Sequence, residues 1–174
     1  MKFNFQKTAL LNQSALNQTS LKLNDYLQEL KKVSKSNTYS VAEASINLPF
    51  DDQLLQQVQK VSKSKITKKL KAILVIGIGG SNLGTKAVYD ALKGNFDLFE
   101  NDRLPKLIFV DTNSPQFLKK LTEWLKKNIK SLDEILITII SKSGTTTETI
   151  ANYEVGFAGL ATRFTPIRLR TRVV

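Results

Sequence analysis

Residues 140 to 149 read I-S-K-S-G-T-T-T-E-T, with six hydroxyl side chains around one lysine and one glycine. They close an apolar, β-branched run, E-I-L-I-T-I-I at 134–140, whose composition predicts a buried strand. The end of such a strand is where α/β proteins place ligand sites. A phosphate dianion accepts hydrogen bonds on all its peripheral oxygens, so short hydroxyls and the backbone N–H groups of a helix start suit it. Ser141, Ser143, Thr145 and Thr146 supply hydroxyls, Gly144 permits the turn, and Lys142 adds a point charge. A reading without a ligand stands beside this one. Thr145-x-x-Glu148 has the form of a capping box, with Thr145 accepting from the N3 amide and Glu148 reaching back. Capping accounts for Thr145 and Glu148 and leaves Ser141, Ser143 and Thr146 without a role.

A second candidate is G-I-G-G-S-N-L-G-T-K, residues 77–86. Its glycines let the backbone turn tightly and bring N–H groups close to an anion, while the helix that follows presents its partially positive start. It is not a dinucleotide fingerprint, because G-x-G-x-x-G counted from Gly77 finds Asn82 where the third glycine belongs. It also misses the nucleotide P-loop. Gly79 and Gly84 have the spacing, but Thr85-Lys86 follows in place of Lys-Ser/Thr, which points the lysine elsewhere on the helix. A tight strand-to-helix turn without a ligand explains the glycines equally well.

The elements that must position these loops alternate from residue 70 onward. A-I-L-V-I (72–76), K-L-I-F-V (106–110) and 134–140 read as strands; 79–94 and 114–129 have helical spacing, with Pro115 in a first turn; a third helix begins at the threonines. Continuous apolar strands alternating with helices predict an α/β fold, a parallel sheet covered on both faces with right-handed crossovers. In a flavodoxin-like order 2-1-3-4-5 the first and third strands are neighbours, so both loops face one crevice. Before this core, residues 1–69 read as a helical appendage. Leu23, Leu27, Leu30 and Val33 form one stripe; Asp51 or Asp52 caps a helix carrying Leu54, Leu55, Val58 and Val61 on one face.

Composition narrows the chemistry further. The 174 residues, 41% hydrophobic, suffice for one core. There is no histidine, which excludes His-based acid/base catalysis and His-ligated metals within this polypeptide, and no cysteine, so no transition-metal site is expected. The formal charge of +11 raises nucleic acid as a partner, but the lysines at 60–71 and 119–130 fit solvated helix faces, and no base-reading pattern accompanies them. No stretch has the length of a signal-peptide core or a membrane span, so a cytoplasmic protein without membrane contact is the expectation.

The last stretch differs from the rest. All 21 lysines lie at or before Lys142, whereas the final basic residues, Arg163, Arg168, Arg170 and Arg172, are all arginine. Residues 158–174 are therefore set apart as an atypical tail with two readings. One is a shifted reading frame, which predicts poor anchoring; the other is an ordinary basic tail whose alternation, I-R-L-R-T-R-V-V, permits an edge strand.

G-I-G-G-S-N-L-G followed about sixty residues later by I-S-K-S-G-T-T-T-E-T resembles the phosphoglucose isomerases, the glucose-6-phosphate isomerase family of glycolysis and gluconeogenesis, over roughly residues 40 to 155. The Lys- and Asn-rich style is similar to that of small-genome, AT-rich bacteria such as mycoplasmas. The resemblance implies that residues 70–157 are the N-terminal part of a three-layer αβα sugar-isomerase (SIS) domain, incomplete here. It implies contacts to glucose 6-phosphate or fructose 6-phosphate from Gly80, Ser81, Ser141, Lys142, Ser143, Gly144, Thr145 and Thr146, with Ser141, Ser143 and Thr146 on the phosphate. It implies an aldose–ketose isomerisation through a cis-enediol without metal or cofactor, in a homodimeric intact enzyme. The family's proton-shuttling Glu, ring-opening His and Lys, and stabilising Arg belong to later parts of its sequence, so no catalytic residue is assigned here. The expectation is an N-terminal piece, inactive by itself, with a stand-alone sugar-phosphate-binding SIS module as the alternative.

Overall fold

The computed structural model describes residues 10–94, 96–100 and 103–174; the first nine residues of the expected appendage lie outside this set. The chain separates into two compact units, Met1–Lys60 and Val61–Val174. The first holds helix α1 (Gln13–Val33), started by Asn12, whose side chain accepts from the Ala15 N–H at 2.8 Å. Of the expected stripe, Val33 is buried, while Leu23 and Leu27 are exposed. A 3-10 stretch, Ala42–Phe50, is tied back by Asn47, whose amide donates to the carbonyls of Val33 and Ser36. Asp51 caps helix α2 (Asp52–Lys65) by accepting from the Leu54 N–H at 2.8 Å. That bond, the Tyr39 hydroxyl and the Gln53 N–H outweigh the slight desolvation and hold the Asp51 carboxyl below its ordinary range.

The second unit is built on strands β1 (Ala72–Ile76), β2 (Lys106–Val110) and β3 (Ile135–Ile139), all parallel, in the order β2-β1-β3. This is the expected order. Between them lie α3 (Leu83–Lys93) and α4 (Pro115–Asn128); α5 (Thr147–Ala161) and the short α6 (Pro166–Arg170) follow β3. The predicted helix from 79 is interrupted, since Gly79–Ser81 forms a 3-10 turn and the α-helix starts only after Asn82.

The two faces of the sheet are covered unequally. Ala72, Leu74, Ile76, Ile108, Val110, Ile135 and Ile137 point to one side and pack with Leu118, Leu121, Leu125 and Ile129 of the α4 segment, Leu160 of α5 and Leu169 of α6. On the other side Tyr89 of α3 meets Phe109 edge-on, with ring centres 6.0 Å apart, and Val75 and Leu136 are buried. No α3 residue is buried; Val88 and Leu92 are exposed, and Leu107 and Phe109 are only half-buried. The sheet thus carries helices on both faces, as its apolar strands predict, with the second face the more thinly covered. At its rim a buried Asp97 accepts from the Tyr89 hydroxyl and pairs with Arg103 and Lys106, fixing the Asp97–Phe99 turn to the start of β2.

The tail is anchored, contrary to the expectation of a loose end. Leu169 is fully buried in the core, and Arg172 donates to the carbonyls of Ile135 at 2.9 Å and Lys65 at 2.7 Å. Val173 bridges Ile137 in parallel, so the last residues lie along the outer side of β3. The alternation of 167–173 permits a strand, but Pro166 starts a helix after Thr165, and only the final residues pair with the sheet.

Candidate functional site

Both candidate loops leave the carboxyl ends of adjacent strands. The Ile140 N–H donates to the Ile76 carbonyl at 2.9 Å and the Gly77 N–H to the Val110 carbonyl at 3.4 Å, so the exits of β1, β2 and β3 are bonded side by side. From there the first loop turns sharply. Gly79 has φ +57°, in the left-handed region that favours glycine, and the Ser81 N–H closes a bond to the Ile78 carbonyl. Gly79 and Gly80 are exposed and Ser81 half-buried, which leaves their backbone open to solvent.

The second loop is a small cluster of hydroxyls. The oxygens of Ser141 and Thr146 lie 3.1 Å apart, and the Ser141 oxygen also accepts from the Gly144 N–H at 3.0 Å. Ser143 accepts from the Thr145 N–H at 3.2 Å and from the Thr145 hydroxyl at 3.0 Å. Gly144, at φ +71°, makes the turn. The structure therefore brings together Ser141, Ser143, Gly144, Thr145 and Thr146. Lys142 is exposed beside them. Among the described residues, no hydrogen bond joins Gly80 or Ser81 to this cluster.

The capping box expected at Thr145 does not form. The N-cap of α5 is Thr146, one residue later, without a side-chain cap, and Thr145 has turned its hydroxyl to Ser143. The first-turn N–H groups of α5 thus keep no side-chain partner, and the explanation that needs no ligand loses its geometry. A capping box does occur elsewhere, between Ser131 and Glu134, where the sequence reading did not place one.

Lys86 behaves as its displaced position predicts. It pairs with Asp111 at 3.3 Å, past the end of β2, and stands 6.0 Å from the centre of the Phe109 ring. Among the described residues, no three carboxylates come together as a metal site would need, and no helix is long and apolar enough to cross a membrane. The arrangement offers an anion two sets of donors, exposed backbone N–H groups on one turn and hydroxyls with a helix start on the other. Sequence reading missed Asn82, buried at the end of the glycine turn. In the sequence it stood inside the helix expected from 79 and was marked only as the residue that breaks the dinucleotide fingerprint.

Residues 9–162 match the family model described as phosphoglucose isomerase. The glucose-6-phosphate isomerase of Acholeplasma laidlawii is 34% identical over 156 residues, which cover 87% of this chain and 34% of that protein. That of Fusobacterium nucleatum is 31% identical over 150 residues, covering 84% of this chain and 31% of that protein. The crystal structure of a hypothetical protein from Thermus thermophilus is similar with a TM-score of 0.64 at 22% identity, over 92% of this chain and 34% of that one, a likeness in fold. The chain spans about a third of the length of the curated relatives it matches.

Proposed function

Since the chain belongs to the phosphoglucose isomerase family, we propose that its two loops form the phosphate-proximal half of a site for glucose 6-phosphate and fructose 6-phosphate. Ser141, Ser143 and Thr146 hold the phosphate, with Thr145, Gly144 and the Lys142 ammonium around it, while Gly80 and Ser81 meet the rest of the substrate. The observation that carries this reading is the Ser141–Thr146 cluster at the uncapped start of α5, beside the glycine turn of β1. An anion there replaces weak hydroxyl–hydroxyl bonds with charge-assisted ones and takes the free N–H groups of the helix start.

The reaction proposed for the whole enzyme is aldose–ketose isomerisation in the cytoplasm by a homodimer, with residues 70–157 as the N-terminal part of its sugar-isomerase (SIS) domain, 1–69 as a helical appendage and 158–174 as a tail of atypical composition packed on the same core. Moving a proton between two carbons and opening the ring both call for acid/base groups, and the resemblance implies that the family's Glu, His, Lys and Arg for these steps belong to later parts of its sequence than the third matched here. We therefore assign binding to the chain and no turnover. Titration calorimetry of the 174-residue chain with glucose 6-phosphate tests the site, with inorganic phosphate expected to compete. Absence of heat for both ligands would remove the reading. A coupled assay for conversion of fructose 6-phosphate to glucose 6-phosphate tests the second statement, and activity that co-purifies with the chain would refute it.

A further inference from the structure

Gly77 and Asn82 touch neither candidate ligand group, yet both sit where the two loops meet. Gly77 is buried, and a Cβ built on it would stand 2.9 Å from the Ser81 Cβ and 3.0 Å from the Ile140 carbonyl oxygen. Its φ is not in the left-handed region, so what this position demands is space rather than backbone freedom. One contact belongs to the glycine turn and the other to the residue immediately before Ser141. Neither is the far end of a flexible side chain, so an added methyl must move backbone. Asn82, 1% exposed, donates its amide to the Gly77 carbonyl at 2.7 Å, though its own Oδ1 is buried without a hydrogen-bond partner. A fold does not bury a half-satisfied amide without a cost, and here the bond that results pins the first residue of the turn from within.

We propose that Gly77 and Asn82 are positioning residues that set the spacing between the glycine turn and the hydroxyl turn. The proposal rests on the reading of 141–146 as the phosphate loop. It follows that a ligand spanning both turns depends on the pair, whereas one small enough for the hydroxyl turn alone does not. Glucose 6-phosphate is the first kind and inorganic phosphate the second.

The test is titration calorimetry of the full chain and its Gly77→Ala and Asn82→Ala variants with each ligand, alongside thermal melting. Gly77→Ala is expected to weaken glucose 6-phosphate by about tenfold, as displacement of a contact by a fraction of an ångström does, with inorganic phosphate binding unchanged. Asn82→Ala should show a smaller loss with the same selectivity; it adds no atom, and it decides the matter if Gly77→Ala does not fold. Unchanged affinity for glucose 6-phosphate in the folded variants overturns the proposal, and so does an equal loss for both ligands, which marks general destabilisation. Failure of the unaltered chain to bind either ligand would instead sink the phosphate-loop reading itself, and the proposal with it.

Discussion

The turn after β1 is held by steric closeness and one buried amide, while the turn after β3 is held by hydroxyls bonded to each other, one pair half-buried and one exposed. The two begin side by side at the ends of neighbouring strands and are still fixed by opposite means. A bond between neutral hydroxyls is worth about 0.5–1.5 kcal/mol net, and one to a charged group about 1.5–3 kcal/mol. The hydroxyl turn can thus exchange its internal bonds for an anion with a gain, whereas the glycine turn has no loose bonds to exchange. Affinity should reside in the second turn and placement in the first.

The strongest way to break that division is to remove Ser141 and Thr146 together as alanines. Each loses a bond to a charged oxygen, so glucose 6-phosphate binding should fall roughly a hundredfold or more, and inorganic phosphate binding with it. Either single variant should lose roughly tenfold, and calorimetric affinities equal to those of the unaltered chain would remove the hydroxyl turn from the site.

A smaller effect sharpens the comparison by acting away from both turns. Burial pushes the Glu134 carboxyl up, but the Lys130 N–H at 2.6 Å, the Lys71 ammonium at 2.9 Å and the Ser131 N–H at 3.3 Å outweigh it and hold the group below its ordinary range. A carboxyl lowered on folding contributes stability that is complete above its unfolded value of about 4.3 and is lost as pH falls through the lower folded value. Glu134→Gln should therefore reduce stability by about 1–2 kcal/mol at neutral pH, with the gap to the unaltered chain closing in acid and sugar-phosphate affinity intact. Urea titrations at neutral and acid pH provide the check; a gap that persists below the folded value would contradict the assignment.

The smallest effects separate two uses of glycine. An alanine Cβ at Gly79 or Gly144 meets nothing within 4 Å, so the cost there is that of a positive φ alone, about 1 kcal/mol each. Asparagine should restore part of it, because it tolerates that region better. At Gly77 no such rescue is expected, since the obstacle is occupied space. Melting curves of the paired variants distinguish the two cases.

Strands 72–76 and 106–110, their order and their parallel sense were legible because a continuous apolar run bounded by glycine, proline or charge has few alternatives at that length. The hydroxyl cluster was legible as well, since Ser141, Ser143 and Thr146 had no use in a plain helix start. What escaped depends on three-dimensional neighbours. Whether Thr145 or Thr146 begins α5 turns on a contact to Ser143, which spacing does not encode. The importance of Gly77 lies in its distance from Ile140, far along the chain. The alternation of 167–173 permitted a strand, and only its last residues pair with β3, since Pro166 and a core socket for Leu169 favour a helical turn before them.

Parallel pairing also has a bearing on the order of events in time. Ala72 finds Lys106 on one side and Ile135 on the other, and neither pairing can form until the intervening helix and the second strand are within reach. Closing such loops costs chain entropy before any contact repays it, which makes non-local parallel sheets slow to assemble. The approach of Gly77 to Ile140 requires the wider of these two closures, so the two turns come together only once the longer loop has closed.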